Sequence, residues 1–338
     1  ARAAHPQARL IVTGCAAEIE RSAIGAMDAV DGIIPNAAKL DPRAWNIPVA
    51  DAPLVPARTR GFIAVQNGCD HACTFCVIPQ GRGASRSVSV AEVLREVAAH
   101  LDAGAREIVL TGVDLTSWGQ DIANTPRLGV LVRAILDAFP HLARLRLSSV
   151  EGVEIDAELF ELLAHEPRVM PHLHLSLQHG SDLILKRMKR RHGRADAAEL
   201  VGRLKALRPD VAVGADLIAG FPTETDAHHA DSLAIIRELD IVHGHIFPFS
   251  PRPGTPAARM PQVPGDVVKS RAAALRAAVA GQRAAWLGSL IGQRHSVLAE
   301  RDGTGYAPNY ARFRVPPGTP AGTLVDITAT RLEEGLLS

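Results

Sequence analysis

Between positions 61 and 261 the chain alternates short apolar runs with longer segments of helical periodicity. The apolar runs at 61–66, 107–111, 143–148, 172–177, 211–218 and 242–248 predict strands. The segments at 89–103, 128–138, 156–165, 182–207 and 226–239 predict helices. A strand-then-helix alternation of this kind implies parallel strands with right-handed crossovers, an α/β fold. Upstream, Leu10, Ile11 and Val12 read as a buried strand, followed by a helix to about Met27 and a short strand at 32–35. Residues 41–60 are rich in Pro and Ala; Pro42, Pro48, Pro53 and Pro56 break regular structure, and the linker proper is placed at 46–60. An Ala-rich helix is expected at 265–291, and the tail beyond it reads as short strands at 296–299, 313–315 and 324–328.

Composition narrows the class. The chain has 338 residues, of which 47% are hydrophobic, enough to fill a sizeable core in two or three domains. No apolar run reaches the length of a membrane span, and no basic-then-apolar secretory segment opens the sequence. Only 4 cysteines occur, and three of them are clustered, which suits a metal site in a reducing cytoplasm better than disulfides. A formal net charge of +1 gives no global attraction to nucleic acid, so any RNA contact has to come from local basic patches.

The candidate chemistry lies at Cys69, Cys73 and Cys76, a C-x3-C-x2-C loop directly after the first predicted strand of the alternating region. Three thiolates on so short a loop can hold three corners of a cubane iron–sulfur cluster. The fourth iron then lacks a protein ligand and is open to a chelating substrate, best matched by the amino and carboxylate groups of S-adenosylmethionine. Phe75, just before the last cysteine, suits packing beside an adenine. The rival is zinc with His71 as fourth ligand, although structural zinc favours paired ligand groups. A disulfide is weaker still, since it leaves one clustered cysteine unpaired.

This loop resembles that of the radical S-adenosylmethionine superfamily. Its flanks, Gln66-Asn67-Gly68 before it and the run from Val77 to Ser87 after it, are similar to the methylthiotransferase family. The single residue Ala84 between Arg82-Gly83 and Ser85-Arg86 is most similar to the branch acting on N6-threonylcarbamoyladenosine in tRNA. The resemblance spans nearly the whole chain and implies a partial (β/α)6 barrel at 61–288. Before it, at 1–45, would stand the remnant of an α/β N-terminal domain, and after it, at 289–338, a small RNA-binding β-barrel of the TRAM type. Cys15 matches the last of three cysteines that hold a second 4Fe-4S cluster in the family; the other two would lie upstream, so the chain reads as a fragment of a longer natural protein.

In such barrels ligands sit at the C-terminal ends of the strands. The resemblance therefore implies cofactor contacts at Thr111 and Gly112, with an ordinary turn as the alternative, and at Glu151, with a solvated loop acid as the alternative. The family usually has proline after this glutamate, where Gly152 stands here. Ser176 and Gln178 share one strand face, assigned to the barrel interior. The segment from Asp216 through Ile218 to Gly220 resembles the one that backs the adenine, with Glu224 ordering its loop. Phe247 and Phe249 are expected to close the pocket bottom. Histidines 228, 229, 243 and 245 lack thiolate partners and are assigned to surface or packing.

Lys186, Arg187, Lys189, Arg190, Arg191 and Arg194 put six basic residues in nine positions, a tRNA-contacting rim if they lie at the mouth and a solvated helix face otherwise. In the tail, five Arg are offset by five acids, and Tyr306, Tyr310, Arg312 and Arg314 are the candidate RNA contacts, with a plain docking module as the alternative. The function the resemblance implies is methylthiolation at C2 of N6-threonylcarbamoyladenosine at position 37 of tRNA. Radical cleavage of S-adenosylmethionine would start the reaction, and a reductant such as flavodoxin or ferredoxin would feed it. The alternatives are the same chemistry on a ribosomal-protein side chain, or a non-catalytic RNA-binding remnant.

Overall fold

The structure, a computed structural model, describes residues 3–39, 41–47 and 58–338. Strand β1 (Ile11–Thr13) pairs in parallel with β2 (Gly32–Ile34), and the helix expected between them is two short ones, α1 (Cys15–Ile19) and α2 (Arg21–Gly25). Pro42 does not simply break structure: with fixed φ it opens a 3-10 turn over Pro42–Trp45, capped by Asp41. Most of the expected 46–60 linker, including Pro48, Pro53 and Pro56, lies outside the described residues.

The central unit follows the predicted alternation. It runs β3 (Arg60–Asn67), α3 (Ile78–Arg82), β4 (Arg86–Ser87), α4 (Val90–Asp102), β5 (Glu107–Gly112), α5 (Leu128–Ala138), β6 (Arg144–Leu147), α6 (Ala157–His165) and β7 (His172–Gln178). It continues with α7 (Asp182–Arg187), α8 (Arg194–Leu207), β8 (Ala212–Ala219), α9 (Asp226–Glu238), β9 (Ile241–Pro248) and α10 (Gly265–Ser289). Strands β3, β5 and β6 pair in parallel, as do β7, β8 and β9. Between β6 and β7 the ladder thins to isolated parallel bridges at Leu145–Val169 and Val150–Leu175. Among the described residues no ladder joins β9 back to β3, so the curved sheet is a partial barrel, open on one side.

Strand alternation sorts the side chains. Outward residues such as Ile63, Val65, Ile108, Leu110, Leu173, Leu175, Val213 and Leu217 are buried against the helices and make the main core. Several helices start where local sequence offers a cap: Ser89 and Glu92 form a capping box on α4, and Asp156 caps α6. The helix expected over 182–207 is broken. Lys189 takes a positive φ of 57°, and α8 restarts after Gly193; the turn between them buries Met188 and His192, half-buries Arg190 and leaves Lys189 and Arg191 exposed.

The tail forms β10 (Arg294–Ala299), β11 (Thr304–Tyr306), β12 (Arg312–Arg314), β13 (Leu324–Thr328), β14 (Leu332–Glu333) and β15 (Leu336–Leu337), one sheet around its own small core. It docks under the N-terminal ends of the barrel strands. Buried Arg144 donates to the carbonyls of Tyr306 and Ser296, and buried Arg146 donates to that of Pro308. Both arginines face one buried carboxylate, Glu107, at 3.6 and 2.8 Å. Burial works to raise the Glu107 carboxyl, but the paired guanidiniums of Arg146 and Arg144 outweigh it and hold the pKa below the usual range.

A carboxyl held low in the fold stabilises it above the unfolded value and loses that contribution as pH falls through the folded value. Glu107→Gln is expected to leave two buried cations without their anion and to cost about 3–5 kcal/mol in denaturant unfolding. It should also flatten the loss of stability below about pH 4.5. An unchanged unfolding midpoint would show that the docked tail is held by other contacts.

Candidate functional site

The cysteine loop leaves the C-terminal end of β3 and is fastened at each step. Gly68 sits at φ +79, and a Cβ there would meet the Ala84 carbonyl oxygen at 2.0 Å, so only glycine fits. Gln66, buried at the strand end, donates to Gly68 O and Ser85 Oγ and accepts from the Asp114 N–H. Thr74 is pinned to α7 and its turn by bonds to the Arg187 and Met188 carbonyls, and its own carbonyl accepts from the Ala257 N–H. Phe75 packs edge-to-face on Phe221, in an apolar cluster with Ile184, Met188 and Ile218.

All 4 cysteines are free thiols. Cys69, Cys73 and Cys76 line one cavity of about 220 Å³ with Phe75, Asp114, Glu151, Ser176, Gln178, Arg190 and Asp216. Each sulfur meets a donor: Cys69 Sγ the His71 N–H at 3.4 Å, Cys76 Sγ the Ile78 N–H at 3.4 Å, and Cys73 Sγ the Arg190 guanidinium at 3.5 Å. Burial pushes the Cys69 thiol up to about 12 and raises that of Cys76, so they await a cation to ionise them. Where three His, Cys, Asp or Glu ligand atoms gather within 4.8 Å among the described residues, the groups are Cys69–His71–Asp114 and His174–Asp216–His245. The cysteine trio is not among them. Its sulfurs are spread more widely than the roughly 3.8 Å separations of thiolates on one tetrahedral zinc. His71 is also engaged: its Nε2 lies 2.7 Å from Asp114 Oδ2, which raises its pKa. Three thiols on one cavity wall, each with a hydrogen-bond donor, are the donor set of a cubane cluster, and His71 is committed to Asp114.

Glu151 organises the opposite wall. Buried after β6, its carboxylate pairs with Arg190 on one oxygen and with His192 Nδ1 at 2.5 Å on the other. Arg190 also donates to the Ser176 carbonyl at 2.8 Å, and His192 Nε2 bonds the Leu177 carbonyl at 3.0 Å. Burial works against the Asp114 carboxyl, but bonds from His71 and Ser117 outweigh it and lower its pKa. Asp216 reaches about 2, because bonds from His174 and His245 overcome its burial.

Several expectations need adjustment. Arg190 is not on an RNA rim: its guanidinium is in the cluster cavity. Arg187 turns in to Thr223, and Arg191 pairs with Glu154, leaving Lys186 and Lys189 exposed. Thr111 bonds the Ile63 carbonyl and faces the barrel interior. Gly112 makes room for Gln66, whose side-chain oxygen would lie 3.1 Å from a Cβ at that position. At Gly220 a Cβ would meet Val268 of α10 at 2.4 Å, so the absence of a side chain lets α10 pack against this loop. Its N–H donates to Glu224, which orders the loop as expected. Phe247 is 51% exposed and lines neither the cluster cavity nor the barrel interior; Phe249 packs on Phe221. Tyr310 stacks under Arg146 at 3.7 Å and against His172, and Tyr306 lies under Arg60, so both serve docking. Arg312 pairs with Asp302, and Arg314 is exposed. His192 carries no signal in the sequence, whereas Gln66 belongs to the family-like flank of the cysteine loop and Asp114 stands just after a predicted strand.

Cys15 opens α1, which packs on α3 where Gly81 leaves no side chain in the way. Its Sγ lies 3.3 Å from Arg82 Nε and 3.8 Å from Asn36 Nδ2. It thus stands next to the helix that follows the three-cysteine loop.

An α/β partial barrel with a three-thiol cradle at its C-terminal mouth defines an iron–sulfur enzyme that works on a ligand held at that mouth. The family model of the Radical SAM superfamily matches residues 63–236. The threonylcarbamoyladenosine tRNA methylthiotransferase MtaB of Rickettsia prowazekii is 40% identical over 98% of this chain and 83% of its own length. The tRNA-2-methylthio-N(6)-dimethylallyladenosine synthase of Cereibacter sphaeroides is 39% identical over 72% of this chain and 55% of its own length. A solved structure of the radical S-adenosylmethionine methyltransferase TsrM from Kitasatospora setae aligns at a TM-score of 0.49 and 22% identity, over 59% of this chain and 38% of that one. The chain belongs to the radical SAM superfamily, within its methylthiotransferase family. Members of the superfamily use a 4Fe-4S cluster and S-adenosylmethionine.

Anaerobic reconstitution is expected to load about four irons per chain on the loop. Cys73→Ala should abolish that cluster, whereas Cys15→Ala should leave it in place. Arg190→Gln should keep the iron but make the cluster harder to reduce, because a positive charge beside Cys73 is removed. Iron analysis with redox-poised spectroscopy reads both effects; an unchanged potential would mean that Arg190 does not act on the cluster.

Proposed function

We propose that this protein methylthiolates C2 of N6-threonylcarbamoyladenosine in tRNA. The observation that carries the proposal is the three-thiol cradle with a donor at every sulfur, in a chain 40% identical over 98% of its length to a methylthiotransferase of that specificity. Held by Cys69, Cys73 and Cys76, a cluster fed by an external one-electron reductant would, with S-adenosylmethionine, supply reductive cleavage of the sulfonium bond and hydrogen abstraction from carbon.

The protein's own part is positioning and exclusion. Glu151, Arg190 and His192 hold the β6 and β7 ends and Cys73 in one arrangement, and the His71–Asp114 pair does the same for Cys69. Ser176 and Gln178 face the cavity and offer hydroxyl and amide groups to the polar end of the bound cofactor. Phe75, anchored on Phe221, shields the loop from water on one side. Cys15 offers one further thiol, beside Arg82 on the helix that follows the loop.

The tRNA would approach over the C-terminal mouth. Lys186 and Lys189 are exposed on α7 and its turn, directly behind the loop that Thr74 ties to them. They act as point charges for phosphates, whereas Arg187 and Arg190 bond inward and Arg191 is paired with Glu154. The tail sheet, docked at the opposite end of the strands, offers Arg314 as a second, more distant contact; the reading of this unit as a TRAM module belongs to this proposal.

Nucleoside mass spectrometry of tRNA treated anaerobically with the complete reconstituted protein tests the assignment. The expected product is 2-methylthio-N6-threonylcarbamoyladenosine. Gain of the group on N6-dimethylallyladenosine instead would move the protein to the other tRNA branch, and no tRNA product would overturn the reading. Lys186→Glu with Lys189→Glu should weaken tRNA binding and lower the salt slope by about 1–2, with cleavage of S-adenosylmethionine nearly unchanged. An unaltered slope would take these lysines out of the interface.

A further inference from the structure

The barrel interior carries a second cluster of metal-type ligands, apart from the cysteines. Inward positions two apart on β7 and β9 are all histidine: His172 and His174, His243 and His245. Asp216 of β8 stands between them, in register with His245. The four imidazoles and Asp216 line a cavity of about 460 Å³ with Arg283, Tyr306 and Tyr310. This cavity shares Asp216 and Ser149 with the cluster cavity above it.

The histidines are not equivalent. His243 is spoken for: one ring nitrogen faces Arg283 at 2.6 Å and the other the Asn309 carbonyl at 3.2 Å. His174 Nε2 and His245 Nδ1 both lie 3.1 Å from the same oxygen, Asp216 Oδ1. The ligand atoms of these three residues all fall within 4.8 Å of one another. Backbone geometry holds the set in place. A Cβ at Gly214 would meet His174 Nδ1 at 2.3 Å, so glycine is what lets that ring lie flat on β8. At Gly244 a Cβ would meet Val279 of α10 at 2.6 Å, so β9 is pressed against the helix with its histidines turned inward. A second feature points to a missing partner: His172, 8% exposed and facing the same cavity, has a buried Nδ1 with no hydrogen-bond partner.

We propose that His174, Asp216 and His245 form a binding site for a divalent first-row transition metal ion inside the barrel, distinct from the iron–sulfur cluster. Two imidazole nitrogens and one carboxylate oxygen suit zinc, iron(II), cobalt or nickel, and suit calcium or magnesium poorly. Ligand bonds of about 2.0–2.2 Å require only that the two rings draw apart from the shared oxygen to admit the ion. The remaining coordination positions open into the cavity, which has room for water or for an oxygen donor on a bound ligand. The ion would brace the edge strand β9 to β8 and β7 across the inner face of their sheet.

Zinc is the probe. Reconstituted holoenzyme, with its three loop cysteines occupied by iron, is dialysed against zinc and compared with His245→Ala and with His229→Ala, a histidine on α9. His245 is mostly exposed, so its loss should not impair folding. The expected result is about one zinc per chain above the cluster iron, with X-ray absorption showing nitrogen and oxygen ligands only and no sulfur near 2.3 Å. His245→Ala should weaken the zinc affinity at least about tenfold, and His229→Ala should not. Zinc should raise the melting temperature of the parent protein and not that of His245→Ala. No retained zinc, sulfur ligation, or equal retention by both variants would overturn the proposal, in which case Asp216 merely accepts two hydrogen bonds.

Discussion

The buried carboxylate of Glu151 ties the site together. One oxygen takes Arg190 and the other takes His192, and through them the loop after β6 is joined to the end of β7 and to the turn between α7 and α8. Arg190 carries the connection onward to the sulfur of Cys73. A buried ion network of this kind contributes little net stability against an apolar replacement, but breaking it is costly, because the partners are left without their counter-charges. Its value is geometric: β6 and β7 share only isolated bridges, and the network holds their ends at the one place where the sheet is weakest.

The two ends of the barrel divide the work. At the N-terminal end, Glu107, Arg144 and Arg146 form a closed charge group that anchors the tail sheet through backbone carbonyls. At the C-terminal end the charges surround cavities: Asp114 with His71, Glu151 with Arg190, and Asp216 with its histidines. The first end is stable because every group is paired. The second is built to receive ions and ligands, as strand C-termini in parallel barrels generally are.

The six barrel strands and most of the helices are legible in the sequence, because strands covered by helices are continuous apolar runs and the helices between them keep a 3.6-residue period. The cysteine loop is legible for a different reason: three ligands in eight positions have few other uses. The basic run after α7 misleads. Local sequence reads such a run as solvent-facing, and nothing nearby reveals that Glu151, more than thirty residues away, draws Arg190 inward, while Arg191 stays exposed and pairs with Glu154. Positive φ at Lys189 and the helix restart after Gly193 make that turn, and neither breaks the charge pattern that suggests one long helix. The tail tyrosines mislead likewise, since aromatic residues that look ready to stack on bases also suit an arginine-rich seam. The histidine pairs do leave a signal, the two-residue spacing on β7 and again on β9, which becomes meaningful once the strands are known to be neighbours of β8.

With three loop cysteines as ligands, one iron of the cluster would be left open for S-adenosylmethionine at the barrel mouth. Electron–nuclear double resonance on the reduced, reconstituted protein tests it, with S-adenosylmethionine labelled with nitrogen-15 in its amino group and oxygen-17 in its carboxylate. The expected result is hyperfine coupling from both labels to the cluster, absent when unlabelled cofactor is used. A reduced cluster whose spectrum shows neither coupling, with the cofactor present in saturating amount, would contradict it.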